Sequence, residues 1–411
     1  MAILSLAARA SVLVAAGLAV SCSLPPPAPA GEATAPRVFD RALIAKGAQL
    51  ASMGNCMTCH TARDGKPYAG GYPLKTPFGV VHGSNITPEP ETGIGRWSEA
   101  DFTRALREGL APEGHHYYPA FPYDYFTRLT DEDIHALFAF VMTREPVRNT
   151  PPANQMLVPR FAVAFWKNKY FDRTAFKPQP ARGGEWNRGA YLAEALAHCS
   201  ACHTPRNKLG AEKREEYMSG GDVGGWHAPA LNEHSPSPVP WTAETLTAYL
   251  STGLVDQHAI TAGPMKSVVG GLGRVPLDEV RALAAYTASL DTRASKPTAI
   301  AAKPDPRLPG AIVYAGACAD CHDRGRSAEG GALQLELAIA LAIPTPANLI
   351  HITRDGIVPG AHERKPWMPE FGSALSEEQI ADLAIYLRSL SGRPPWQDVR
   401  AEVRKLAKGN E

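Results

Sequence analysis

The sequence predicts an all-α fold of three tandem domains, and three observations carry that expectation. A five-residue motif, C-x-x-C-H, occurs at 56–60, 199–203 and 318–322. A Gly-Ala pair (Gly47-Ala48, Gly189-Ala190, Gly310-Ala311) precedes each copy, its Gly nine, ten and eight residues before the first Cys. An amphipathic helical pattern with a start signal closes each copy. A chain of 411 residues suits about two to four domains.

Taken in order, the chain opens on a targeting segment, 1–22. Arg9 precedes an apolar run over 10–20, long enough for a signal-peptide core and short for a bilayer span. Two endings compete with a retained anchor: the A-x-A site Ala28-Pro29-Ala30, and Ala19-Val20-Ser21-Cys22, which resembles a lipoprotein box with Cys22 as the lipidated residue. A Pro-rich tether follows over 23–37. The expected location is the periplasmic side of a bacterial cytoplasmic membrane, peripheral or lipid-anchored. Hydrophobic content of 44%, charged content of 20% and a net charge of +1 describe globular cores and give no reason to invoke nucleic acid.

The first domain, 38–150, holds Cys56, Cys59 and His60; the second, 185–292, holds Cys199, Cys202 and His203; the third, 310–393, holds Cys318, Cys321 and His322. C-x-x-C-H is the spacing for attaching a c-type haem through two thioethers, with the His as proximal iron ligand. On a helical turn, i and i+3 share a face, so both sulfurs reach one porphyrin. Six of the seven cysteines are used in this way, which implies three covalently bound haem c groups. Zinc needs four ligands per ion, a thioredoxin-like pair needs a strand–helix–strand setting, and disulfides give no reason for a His after each pair.

Small residues in each Gly-Ala pair let another helix approach closely. The closing helices start at Thr130-Asp131-Glu132-Asp133, Pro276-Leu277-Asp278-Glu279 and Ser376-Glu377-Glu378, with caps and acids suited to the helix dipole. A middle helix opens at Trp97-Ser98 and again at Trp241-Thr242. The joint over 151–184 is too long for a plain linker, and its aromatics (Phe161, Phe165, Trp166, Tyr170, Phe171) suggest a packed excursion or a partner-facing patch. A linker follows at 293–309, and a basic amphipathic tail at 394–411 is expected as a solvated helix or a lipid contact.

An electron-transfer haem needs a sixth ligand, and Met is the usual one. Met265, in Gly263-Pro264-Met265, lies 62 residues after His203; Met368, before Pro369, lies 46 after His322. Both precede the last helix of their domain, beside a stiffening Pro. The equivalent place in the first domain is Phe121, which cannot bind iron. His115, His116, Met142 or no residue then completes that centre. No phosphate-cradling loop or nucleophile–base pair is visible, so no catalysis by this chain alone is expected.

Several stretches resemble the tri-haem cytochrome c subunits of bacterial periplasmic dehydrogenases, including alcohol, gluconate and aldehyde dehydrogenases. They are Asn85-Ile86-Thr87-Pro88, Tyr118-Pro119-Ala120-Phe121-Pro122-Tyr123, 198–207, Ala262-Gly263-Pro264-Met265 and Met368-Pro369. The resemblance implies class I cytochrome c-type domains, a catalytic dehydrogenase partner, and ubiquinone or a terminal oxidase as acceptor. Phe121, with 150–155, is more like cytochromes paired with molybdopterin hydroxylases, some with an iron–sulfur subunit, that oxidise aldehydes or N-heterocycles such as nicotinate. A quinoprotein or flavoprotein alcohol or sugar dehydrogenase is the alternative partner. A haem peroxidase using the first haem, or a terminal-oxidase subunit, is the reading from another class.

Overall fold

The computed structural model describes residues 37–293, 305–323, 332–357 and 368–408. Around each motif the chain repeats one helical frame. An opening helix (Arg41–Met53, Gly184–Tyr191, Gly310–Ala317) crosses a closing helix (Asp131–Met142, Leu277–Ala288, Glu377–Leu390). The glycine of each Gly-Ala pair is the crossing point. A Cβ on Gly47, Gly189 or Gly310 would lie 2.0, 1.9 or 2.0 Å from the carbonyl oxygen of Ala136, Ala282 or Asp382. Only a residue without a side chain lets two helix backbones meet that closely. The Thr130 and Ser376 side chains accept the N–H of Asp133 and Gln379, so two closing helices start on the expected caps, each contributing about 1 kcal/mol. Ser98 and Thr242 start the middle helices Glu99–Glu108 and Ala243–Thr252 with reciprocal capping bonds.

The all-α expectation is overturned. Helices make up 45% of the described residues, and three antiparallel sheets accompany them there. Pro73–Thr76 pairs with Gly79–His82, which pairs in turn with Gln155–Met156 from the joint. Gly221–Val223 pairs with Trp226–Ala228, and Leu254–Val255 with Ala259–Ile260. The reason is length: strands of two to four residues are too short for an alternating pattern to stand out from loop sequence. Glycine marks the first two hairpins, where Gly79, Gly224 and Gly225 take positive φ, and the third turns through Asp256-Gln257-His258 without one.

The packing also departs from three separate cores. One apolar cluster runs through both the first and second motif regions, joining Leu50, Met53, Ile134 and Phe140 to Leu192, Leu196, Leu272 and Leu283. Asp133, legible only as a first-turn acid, lies buried across this junction. It takes Lys46 Nζ at 2.6 Å and the Tyr191 hydroxyl at 2.7 Å. A second cluster, with Tyr314, Leu341, Ile350, Leu383 and Leu387, surrounds the third motif. The joint is indeed a packed excursion: the helix Ala162–Tyr170 turns Val163 and Lys167 inward and leaves Phe161 and Phe165 exposed. The tail forms the helix Val399–Lys408, whose apolar side (Val399, Val403, Leu406) is used up in the second core, while Arg400 pairs with Asp382 at 2.6 Å. Among the described residues no helix is long and apolar enough to cross a membrane. The targeting segment, with Cys22, lies outside the described residues.

Candidate haem centres

Each motif forms a single helical turn: Cys56–Cys59 followed by His60, Ser200–His203 after Cys199, and Ala319–His322 after Cys318. The turn is started by a left-handed residue in the first two copies, Asn55 (φ 52°) and His198 (φ 39°). None of the six motif cysteines is joined in a disulfide. Burial pushes the Cys56 and Cys199 thiols up to about 12 and Cys59 and Cys318 to about 11, so they stay uncharged. Among the described residues no group of three or more His, Cys, Asp or Glu gathers as a metal cage.

The three motif histidines share one hydrogen bond. His60 Nδ1 lies 2.7 Å from the Ser84 carbonyl, His203 Nδ1 2.7 Å from Pro229, and His322 Nδ1 3.3 Å from Leu333. A carbonyl can only accept, so Nδ1 carries the proton and Nε2 is left bare as the metal-binding nitrogen. This is the outer-shell device that orients ligating histidines. Burial holds His60 and His203 below the ordinary imidazole range, in the neutral form that ligates.

A second shared bond ties each of the first two histidines to the hairpin beyond it. Gly70 N–H donates to His60 O at 2.7 Å, and Gly220 N–H to His203 O at 2.8 Å. The backbone of Gly83 and of Gly221 then lies against the second Cys of its motif. An added Cβ would meet Cys59 O at 1.8 Å and Cys202 O at 2.6 Å. Two sulfurs for attachment and one oriented imidazole for the iron, per motif, are the set that haem c requires. The carbonyls that aim the rings belong to residues with no sequence signature, since every residue carries one. The first two motifs are also near neighbours: the Cys202 sulfur acts electrostatically on Cys59, and Asn55 Nδ2 donates to Ser267 Oγ at 3.0 Å.

The expected sixth ligands fall on different supports. Met265 is the first residue of the helix Met265–Leu272 and packs, half-buried, against the shared core. Met368 pairs with Ile357 through two backbone bonds of 2.8 and 3.1 Å; Trp367 lies outside the described residues. Phe121 sits in an edge-to-face cage of Tyr117, Tyr123 and Phe126, with ring centroids 5.5–6.3 Å apart. The fully buried Tyr123 hydroxyl in this cage has no hydrogen-bond partner among the described residues, a polar end that a bound group would satisfy.

His116 is held by a residue that the sequence did not mark. Lys167, from the joint, is buried and directs its ammonium to Glu108 O (2.5 Å), Gly109 O (2.9 Å) and His116 Nδ1 (3.0 Å). Burial lowers its pKa to about 8, which leaves it protonated at neutral pH. Three donors meet three acceptors, so His116 Nδ1 accepts and Nε2 carries the proton. That is the reverse of the tautomer at the three motif histidines. His115 is exposed, 3.8 Å from Glu113, and Met142 packs on the shared core.

Residues 44–145 match the family described as Cytochrome c, and 306–387 match Cytochrome C oxidase, cbb3-type, subunit III. The chain is 42% identical over 383 residues to a nicotinate dehydrogenase subunit of Pseudomonas putida, covering 90% of this chain and only 32% of that longer protein. It is 33% identical to the fructose dehydrogenase cytochrome subunit of Gluconobacter japonicus, covering 95% of this chain and 86% of the relative. The gluconate 2-dehydrogenase cytochrome c subunit of Pantoea cypripedii is also 33% identical, with 88% of each covered.

Proposed function

The chain belongs to the electron-transferring cytochrome c subunits of dehydrogenases, and on that premise we propose that it relays electrons through three covalent haem c groups. They pass from a catalytic dehydrogenase subunit to ubiquinone or a terminal oxidase at the membrane. The carrying observation is the Nδ1-to-carbonyl bond made by all three motif histidines, which leaves each Nε2 free on the same side of the chemistry. A haem bound at each motif supplies a reversible one-electron couple. Cys56 and Cys59, Cys199 and Cys202, Cys318 and Cys321 anchor the three groups. His60, His203 and His322 ligate from one side, and Met265 and Met368 complete the second and third centres. The first centre has no Met at the register position, and Lys167 holds His116 in the wrong tautomer; its sixth position therefore falls to His115, to Met142 or to no residue.

The partner in this proposal is a molybdopterin-type dehydrogenase acting on aldehydes or N-heterocycles. Identity of 42% to a nicotinate dehydrogenase subunit against 33% to the sugar-oxidising relatives supports it, as does Phe121. The location follows as the periplasmic face of the membrane, peripheral or lipid-anchored. The test is reduction of the purified chain by its co-purifying partner plus substrate, with elemental and cofactor analysis of the complex. A partner that turns over with artificial acceptors while leaving this chain oxidised would refute the relay. Quinone or flavin in place of molybdenum would move the partner to the alternative class.

A further inference from the structure

The two hairpins that follow the first and second motifs are built alike, and one residue sets them apart. Each supplies the carbonyl that orients its motif histidine, Ser84 or Pro229, two residues after a histidine whose own N–H is capped by an asparagine. His82 N–H donates to Asn154 Oδ1 at 2.8 Å, and His227 N–H to Asn348 Oδ1 at 2.8 Å. Asn154 comes from the joint, whereas Asn348 comes from the helix Ala347–Asp355 of the third region and also donates back to His227 O at 2.9 Å. The residue before the capped histidine is Val81 in the first hairpin and Trp226 in the second.

Trp226 touches both sides of this junction. Its indole lies against Gly263, where a Cβ would meet ring carbons at 2.4 Å, two residues before Met265. Its other contact is His351 of the third region, stacked with centroids 4.7 Å apart and planes 15° apart. One turn after His351 the same helix ends beside Met368: Ile357 N–H donates to Met368 O at 2.8 Å, and Phe371 N–H donates to Thr353 O at 3.0 Å. The His351 Nε2 is buried without a hydrogen-bond partner among the described residues.

We infer that the Trp226–His351 stack is the contact through which electrons pass between the centre held by His203 and Met265 and the centre held by His322 and Met368. One electron leaves the ferrous iron of one centre and reduces the ferric iron of the other. Both rings serve as the intervening medium and end unchanged, no bond breaks, and no proton moves. The inference rests on the relay reading for its ligands, but not on the identity of the partner.

The test is photochemical reduction of the full haem-loaded chain, following the interhaem phase that is absent from a Cys318→Ala/Cys321→Ala chain. Photoreduction bypasses the dehydrogenase, so a failed relay leaves this measurement readable. Trp226→Leu and His351→Leu should each lose the fast phase while haem content, midpoint potentials and the methionine–iron absorption band stay native. Trp226→Phe, which keeps a ring in the gap, should retain it. Persistence of the fast phase in Trp226→Leu overturns the inference. If that variant fails to hold its haems, loss in His351→Leu with retention in Trp226→Phe supports it, and persistence in His351→Leu overturns it.

Discussion

His258 makes the junction between the second and third regions acid-sensitive, and the size of the effect follows from its surroundings. The side chain is 1% exposed, stacks on Trp241 at 3.9 Å, and lies 3.1 Å from Ser237 Oγ. Ser237 donates its own proton to Val239 O at 2.6 Å, so His258 Nδ1 is the donor to Ser237 and the bare Nε2 is the atom that must be protonated. Burial opposes that charge and outweighs the attraction of Asp256, bringing the pKa from 6.5 down to about 4. The folded value is depressed, so between pH 6.5 and 4 the unfolded chain binds the extra proton. Stability is then full above the unfolded value and is lost as pH falls through this window. At pH 4.5 the loss comes to about 2.5 kcal/mol. It should be felt at the interface, because the His258 carbonyl accepts Ile339 N–H at 2.9 Å. Denaturant unfolding of the haem-loaded chain at about pH 7 and about pH 4.5 should show this loss in the native protein and its absence in His258→Phe, which keeps the stack on Trp241. Equal pH dependence in the two proteins, within about 0.5 kcal/mol, would refute the reasoning.

Four further outcomes are expected. Haem quantification should return three haems per chain, and two after Cys318→Ala/Cys321→Ala. Met265→Leu and Met368→Leu should each remove part of the ferric methionine–iron absorption and lower one midpoint potential, because a soft thioether favours the ferrous state; no change in either variant would dismiss these ligands. Gly189→Val should abolish folding or cost at least about 3 kcal/mol, since its Cβ would fall 1.9 Å from Ala282 O. Gly270→Ala, in the helix Met265–Leu272 with nothing within 4 Å, should instead raise stability by about 0.5–1 kcal/mol, as thermal melts would show.

Legibility in the sequence tracked how local each feature is. The Gly-Ala crossings could be read because close backbone approach demands glycine, at a short spacing before each motif. The caps Thr130 and Ser376 were legible because a cap too demands particular residue types at short spacing. The hairpins were not, since strands such as Ala259–Ile260 hold two residues and their pairing is decided by distant contacts. Lys167 was hidden because lysine in an aromatic stretch reads as a solvated charge, and only the fold shows it meeting three acceptors. The common core of the first two regions was equally hidden. An apolar helix face announces that it will be buried, and the sequence does not say against which neighbour.

That difference in packing bears on how a relay of this kind would be held. Between the first two motifs the fixing element is a continuous apolar core, reinforced by Asp133 bridging Lys46 and Tyr191. Cores of this sort are close-packed and yield little, so the separation of the first two centres is set once the chain folds. The third region has its own core and meets the second through discrete contacts: the paired bonds of Asn348 with His227, Gln334 N–H to Asp256 O, Ile339 N–H to His258 O, and Arg393 to Pro236 O. Position across such a seam draws on these directional groups. An aromatic stack across the seam supplies what those bonds lack, a wide contact that tolerates small sliding without losing van der Waals touch. On that inference Trp226 serves where the two regions have separate cores, and Val81 stands at the matching place in the hairpin whose region shares its neighbour's core.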